Sequence, residues 1–200
     1  IRLSLVGSEM CIRDSMPNIV NPGDLQYAGV DGTWWFVRAA WKYYLATGDR
    51  EFLLEAWPRI ELAVNGALEK AVDHRGFLTH GDGETWMDAG GERNPFSPRG
   101  DRAVEVQALF HHGLLAGALW AEAVSAEGGD TGGTAEAWRA RAEMLARSFR
   151  DGYWWEERKY LRDHLNADGS ADAQIRPNAL LALWVYLDTL RMLGLMESFR

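Results

Sequence analysis

The stretch Ala103-Val104-Glu105-Val106-Gln107-Ala108-Leu109-Phe110-His111-His112-Gly113-Leu114-Leu115-Ala116-Gly117-Ala118-Leu119-Trp120-Ala121-Glu122-Ala123-Val124-Ser125-Ala126 decides the fold. Its apolar residues Val104, Val106, Leu109, Phe110, Leu114, Leu115, Leu119 and Trp120 run almost all the way round a helix. A helix that is apolar on most faces lies buried within a larger helical assembly. Gly113 and Gly117 would let a neighbour approach closely. Upstream, Trp34, Val37, Trp41 and Tyr44 recur at three- and four-residue steps and predict a helix from Asp31, capped by Thr33 and stopped by Gly48. Leu53, Trp57, Ile60, Val64 and Ala67 predict a second, which Pro58 kinks or restarts. The turn Thr47-Gly48-Asp49 joins the two as a hairpin, and Pro17 to Val30, rich in Pro, Asn and Gly, reads as a loop before them.

Downstream, Gly128 to Gly133 is a turn, and Thr134 is expected to cap a fourth helix. Its narrow stripe of Trp138, Ala142, Leu145 and Phe149 opposes Arg139, Arg141, Glu143 and Arg147, the pattern of a half-exposed outer helix. In the connection Gly152 to Ile175, Tyr153-Trp154-Trp155 and Lys159-Tyr160-Leu161 can pair as a small hairpin, and Asn166-Ala167-Asp168-Gly169 is a turn. Pro177 opens a fifth helix that runs to about Met192. Buried and amphipathic helices alternate, and long loops leave the end of alternate hairpins. The expected fold class is all-α: a partial (α/α)6 toroid, about half of a six-hairpin barrel, with inner helices surrounded by outer ones and the loops at one face.

Composition narrows the function. The chain has 200 residues, 47% hydrophobic and 25% charged, enough for one domain with a core. A net charge of -8 argues against nucleic acid, whose phosphates attract basic proteins. No apolar run approaches the roughly 20 residues of a membrane span, so no membrane partner is expected. Ten tryptophans exceed what a core of this size needs and suggest aromatic surfaces facing a ligand. Residues Ile1 to Ser15 look like an in-frame translation of a sequencing-library adaptor and are set aside as an artefact, so the chain is expected to be cut upstream of Met16. The one cysteine, Cys11, lies there, which leaves the remainder without thiol or disulfide chemistry. The expected location is cytoplasmic.

Asp73 to Arg102 has no sustained period and holds six glycines and two of the six prolines. A loop of about 30 residues in a compact domain is usually functional or disordered, and the Trp, Met and Phe within it argue against disorder. Asp82, Glu84 and Asp88 lie close together, where like charges raise one another's proton affinity and Trp86 and Met87 add desolvation. Such a carboxylic acid can serve as a general acid near neutral pH. Glu105 sits in the first turn of its helix, where the dipole favours an anion, and Arg99 can pair with a carboxylate or bind hydroxyls. Acids, indoles and an arginine gathered in one loop suit carbohydrate, whose faces stack on indole and whose hydroxyls need carboxylates and arginines. His80, Asp82 and Glu84 alternate in a way that can ligate a cation, but loop spacing is a weak signal; neither a metal nor another cofactor is expected.

Five blocks carry a resemblance. Asp31-Gly32-Thr33-Trp34-Trp35-Phe36, Thr85-Trp86-Met87-Asp88-Ala89, Pro98-Arg99-Gly100, Val104-Glu105-Val106-Gln107-Ala108-Leu109 and Ile175-Arg176-Pro177-Asn178 with Leu180-Leu181-Ala182-Leu183 resemble, in order, the amylo-α-1,6-glucosidase domain of glycogen debranching enzymes. The resemblance spans roughly Gln26 to Leu183, and its second to fourth blocks are the specific ones. It implies an (α/α)6 barrel that hydrolyses α-1,6 branch stubs of glycogen or limit dextrin with inversion, so that residues 16–200 are part of a glycosidase catalytic domain acting on a branched α-glucan or oligosaccharide. It implies Asp88 as general acid. Asp31, Trp35, Trp86, Arg99 and Glu105 match positions near the bound sugar, and Arg176 and Asn178 fall on a block at the barrel mouth. The family's general base belongs to a later block that this chain does not contain, and Trp184 to Arg200 departs from the family pattern. Two consequences are expected of the isolated 200 residues: inactivity, and marginal stability because the third helix lacks neighbours. Another six-hairpin glycosidase, a sugar phosphorylase, or a non-catalytic helical carbohydrate-binding domain would share many of these features.

Overall fold

A computed structural model describes residues 19–21, 24–26, 29–87, 89–90 and 94–196. Among the described residues, five helices carry the fold: α1 (Gly32–Thr47), α2 (Arg50–Lys70), α3 (Val104–Ala126), α4 (Thr134–Tyr153) and α5 (Asn178–Met192). Short antiparallel pairs punctuate the connections. They are β1 (Ile19–Asn21) with β2 (Asp24–Gln26), β3 (Arg102–Ala103) with β6 (His164–Leu165), and β4 (Trp154–Trp155) with β5 (Tyr160–Leu161). The expected hairpin of Tyr153–Trp155 with Lys159–Leu161 forms, in the register Trp154↔Leu161 and Trp155↔Tyr160. The stretch before α1, expected as a loop, contains the β1–β2 pair. There Ile19 and Val20 supply β-prone residues.

The central helix is α3, which packs against each of the other four. Val104, Val106, Phe110, Leu114, Ala116, Ala118, Trp120 and Ala121 are wholly buried, each large side chain contributing roughly 1.5–3 kcal/mol. Its two central glycines are contact points. A Cβ at Gly113 would lie 2.5 Å from the Trp34 ring, and one at Gly117 would lie 2.7 Å from the Trp138 ring, so α1 and α4 approach closer than an alanine would allow. The third helix therefore has its neighbours, contrary to the expectation of a stripped face, because α1, α2, α4 and α5 are enough to surround it. Exposed apolar surface lies instead on α5, at Leu180, Leu183, Trp184 and Tyr186. Part of it lines a groove of about 710 Å³ shared with Phe149 of α4 and Tyr160 of β5.

The caps differ in detail from the sequence reading. Gly48 ends α1 in the left-handed region (φ 64°), its N–H donating to the Tyr44 carbonyl, as its place after the stripe predicted. Thr33 lies inside α1 and is buried, so it does not cap. α2 runs through Pro58 as one helix, started by the Asp49 carboxylate accepting the Phe52 N–H at 3.0 Å. Thr134 is the first residue of α4 rather than its cap, and left-handed Gly133 precedes it. α5 crosses Leu183 without a break and buries Val185, Asp188 and Thr189 beyond it.

The two long connections, 71–101 and 156–177, are stitched together at the N-terminus of α3. β3 pairs with β6 in the register Arg102↔Leu165 and Ala103↔His164. Gln107 holds the first connection through both its amide atoms, accepting the Leu78 N–H at 2.9 Å and donating to the Leu78 carbonyl at 2.8 Å. The Tyr153 hydroxyl donates to the Arg102 carbonyl at 2.6 Å. Among the described residues, no helix is long and apolar enough to cross a membrane.

Candidate active site

The N-terminal residues of α1, α3 and α5 carry polar side chains that the folded connections bring together. At the centre is Arg99, with no exposed surface. Its guanidinium grips Glu105 with two parallel hydrogen bonds, Nη1 to Oε1 at 2.8 Å and Nη2 to Oε2 at 2.7 Å, and donates Nε–H to Asp163 Oδ2 at 2.8 Å. This forked geometry belongs to arginine alone among the cations. Burial works against the charge on Arg99, but Glu105 and Asp163 outweigh it and raise its proton affinity above the ordinary value. Burial would likewise protonate Asp163. The His164 hydrogen bond, the charge of Arg99 and the Asn178 amide overcome that and hold its carboxyl below the usual range.

Around this core stand the remaining predicted residues. Trp86 donates its indole N–H to Glu105 Oε1 at 3.2 Å and leaves 53% of its surface exposed. Trp35 donates its indole N–H to Asp31 Oδ2 at 3.3 Å and is half-buried. Burial raises the Asp31 carboxyl above the ordinary value; its own backbone N–H and the Trp35 indole oppose the rise, and the negative charge of Glu105 adds to it. Asn178 donates to Asp163 Oδ1 at 3.0 Å, and its own buried Oδ1 has no protein partner. Arg176 reaches Asp163 from the rim at 3.7 Å and holds Gln174 at 3.0 Å. The structure thus gathers Asp31, Trp35, Trp86, Arg99, Glu105, Arg176 and Asn178 into one neighbourhood. Asp88 lies outside the described residues. The residues flanking it in sequence are held: Met87 Sδ sits 3.3 Å from Arg99 Nη1, and the Ala89 carbonyl accepts the Phe96 N–H at 2.7 Å.

Other members of the acidic loop have local duties. Glu84 accepts the Gly81 N–H at 2.6 Å and closes the turn, while Asp82 is exposed. His80 accepts the Ala103 N–H on Nε2 at 2.8 Å, which leaves Nδ1–H to donate to the Gly81 carbonyl. One ring nitrogen thereby positions the start of α3 and the other the Gly81 turn, and burial lowers the proton affinity of the ring.

Sequence reasoning missed Asp163, the second carboxylate on Arg99. It lies just ahead of β6 with no motif around it, and the β3–β6 pairing together with the Val104 N–H on its carbonyl brings it to the site. Asp163, His164 and Asp172 place ligand atoms within 4.8 Å of one another. A cation there would share Asp163 with the Arg99 guanidinium, so the donor set is a poor fit to a metal.

A family model described as amylo-alpha-1,6-glucosidase matches residues 8–193, which extends past Leu183 through the whole of α5. Among curated proteins no sequence matches. A GH78 family rhamnosidase of Bacillus sp. GL1 superposes with a TM-score of 0.58 at 19% identity, over 84% of this chain and 20% of that one. A rhamnosidase from Klebsiella oxytoca with rhamnose bound superposes with a TM-score of 0.57 at 16% identity, over 88% of this chain and 33% of that one. At these identities the likeness is one of fold, a six-hairpin helical toroid of which this chain spans a part.

Proposed function

The chain belongs to the amylo-alpha-1,6-glucosidase family, and from that premise we propose that it carries the acid side of an inverting glucosidase site that removes glucose from α-1,6 branch stubs. The family and the fold together support a domain of glycoside hydrolase type with a carbohydrate substrate. The observation that carries the finer reading is the pairing of indole with carboxylate at two helix starts. Trp35 meets Asp31 at the head of α1, and Trp86 meets Glu105 at the head of α3, both rings partly open. Indole faces take the C–H face of a pyranose, and the Asp31 carboxylate beside Trp35 takes its hydroxyls.

In this reading Asp88, the acid of the Thr85-Trp86-Met87-Asp88-Ala89 motif, protonates the glycosidic oxygen as the bond to the anomeric carbon breaks. A second carboxylate takes a proton from a water that attacks the opposite face, with about 6.5–9.5 Å between the two groups to admit it. Glu105, fixed by Arg99, stabilises the positive charge that develops on the ring. Arg99 itself, fully enclosed, orients Glu105 and Asp163 and touches no substrate.

The test is the anomer formed first. Proton NMR of the complete gene product acting on an α-1,6-glucosylated maltooligosaccharide should show β-glucose before mutarotation. First-formed α-glucose would overturn the inverting mechanism, and a glucose phosphate formed only with added phosphate would make the protein a phosphorylase.

A further inference from the structure

The face of α1 that carries Asp31 and Trp35 continues through Arg38 to Lys42, at spacings of four, three and four residues. It meets α5. Arg38 donates to Asp188 Oδ2 from Nε at 2.9 Å and approaches it from Nη2 at 2.8 Å, while Lys42 donates to Asp188 Oδ1 at 2.6 Å. One turn nearer the helix starts, Trp184 lies 6.2 Å from Trp35, ring centre to ring centre. Both contacts advance in the same chain direction, so α1 and α5 run parallel and begin at the same end. Trp184 therefore stands one layer below Asp31, with the Asp188 ion cluster sealing the layer beneath.

The Arg38 guanidinium lies 4.6 Å from the centre of the Trp184 ring and 5.7 Å from that of Trp35. Asp188 fixes Arg38, and Arg38 in turn fixes the indole plane. Yet Trp184 remains 44% exposed. An indole that is clamped on one side and open elsewhere, beside a carboxylate, is a preorganised surface for an amphipathic ring.

We infer that Trp184 is a substrate-positioning residue: with Trp35 it forms the aromatic floor on which a hexopyranose rests beneath Asp31. This rests on the glycosidase reading of the same site. The floor favours a sugar whose lower face presents C–H groups, and it disfavours one whose axial hydroxyl would point into the indoles.

The test uses 1-deoxynojirimycin, a cationic mimic of a glucosyl ring, titrated calorimetrically into the complete gene product and into its Trp184→Ala, Trp184→Phe and Trp154→Ala variants. Trp154 is similarly exposed, at 42%, and lies on β4, with no ring or cation contact to Trp35, Arg38 or Trp184 among those of the described residues. The expected result is a loss of about ten-fold in affinity for Trp184→Ala. Trp184→Phe should stay within about three-fold of wild type and Trp154→Ala should be unchanged, with the melting temperature the same in all four. Undiminished binding by Trp184→Ala would overturn this inference and leave the glycosidase reading standing, and an equal loss in Trp184→Phe would overturn the stacking role. Absence of binding by the wild type would overturn the glycosidase reading and this inference with it.

Discussion

At the scale of single residues the site depends on Arg99. One guanidinium satisfies both oxygens of Glu105 and one of Asp163 in a space without water access. Lysine is a point charge without the fork, so Arg99→Lys leaves at least one buried carboxylate oxygen without its donor. We expect Arg99→Lys to lower unfolding free energy by about 2–4 kcal/mol in urea titration; a change below about 0.5 kcal/mol, the size of an ordinary surface substitution, would show that the grip is not structural. The arginine was legible in sequence as a partner for a carboxylate, because Pro98-Arg99-Gly100 lies just ahead of Glu105. Its second partner was not. Asp163 is 64 residues away, and no local pattern reports a contact made only by tertiary pairing.

At the scale of elements α3 is where the fold stores its sensitivity to acid. It carries His111 and His112 in adjacent positions, and burial lowers both imidazoles to about 4 from their ordinary 6.5. For His112 the Asp188 carboxylate pulls the other way, while Arg38 and Lys42 reinforce burial. His112 uses Nδ1 to reach the Thr189 hydroxyl, which donates onward to the Val185 carbonyl, so its Nδ1 carries the proton and Nε2 is bare. The folded form holds both rings neutral, whereas the unfolded chain takes up protons near pH 6.5. Stability is therefore full above pH 6.5 and falls as pH drops towards 4, with a slope approaching roughly 2.7 kcal/mol per pH unit if both rings contribute. Urea titrations across that window should show the decline, and His111→Gln should about halve the slope. An unchanged slope would mean that His111 is not held neutral. Helix identities and stripes were readable in sequence because packing follows the 3.6-residue period. The caps were less so: Thr33 and Thr134 each sit one or two positions inside their helices, since a threonine beside a glycine gives no sign of which of them turns the chain.

At the scale of the molecule the sequence showed alternating inner and outer helices, and the structure shows why their polar ends converge. α1, α3 and α5 begin at one end, where the two long connections close over them through β3 and β6. Asp31, Glu105 and Asn178 are thereby neighbours although more than 140 residues separate the first from the last. That convergence was visible in sequence only through family resemblance, because loop chemistry states which groups are present and not which way they face. The pairing of Trp184 with Trp35 had no such signal, lying in the part of α5 where that resemblance ended. We propose that these ends form a glucosidase site with Asp88 as its acid. The most direct measurement is glucose release from an α-1,6-branched limit dextrin by the complete gene product and by Asp88→Asn. The variant should lose release by about 10³-fold or more, within the roughly 10²–10⁴-fold range for a general acid, while its affinity for 1-deoxynojirimycin stays within about three-fold of wild type. A variant that releases glucose at a near-normal rate would contradict the proposal.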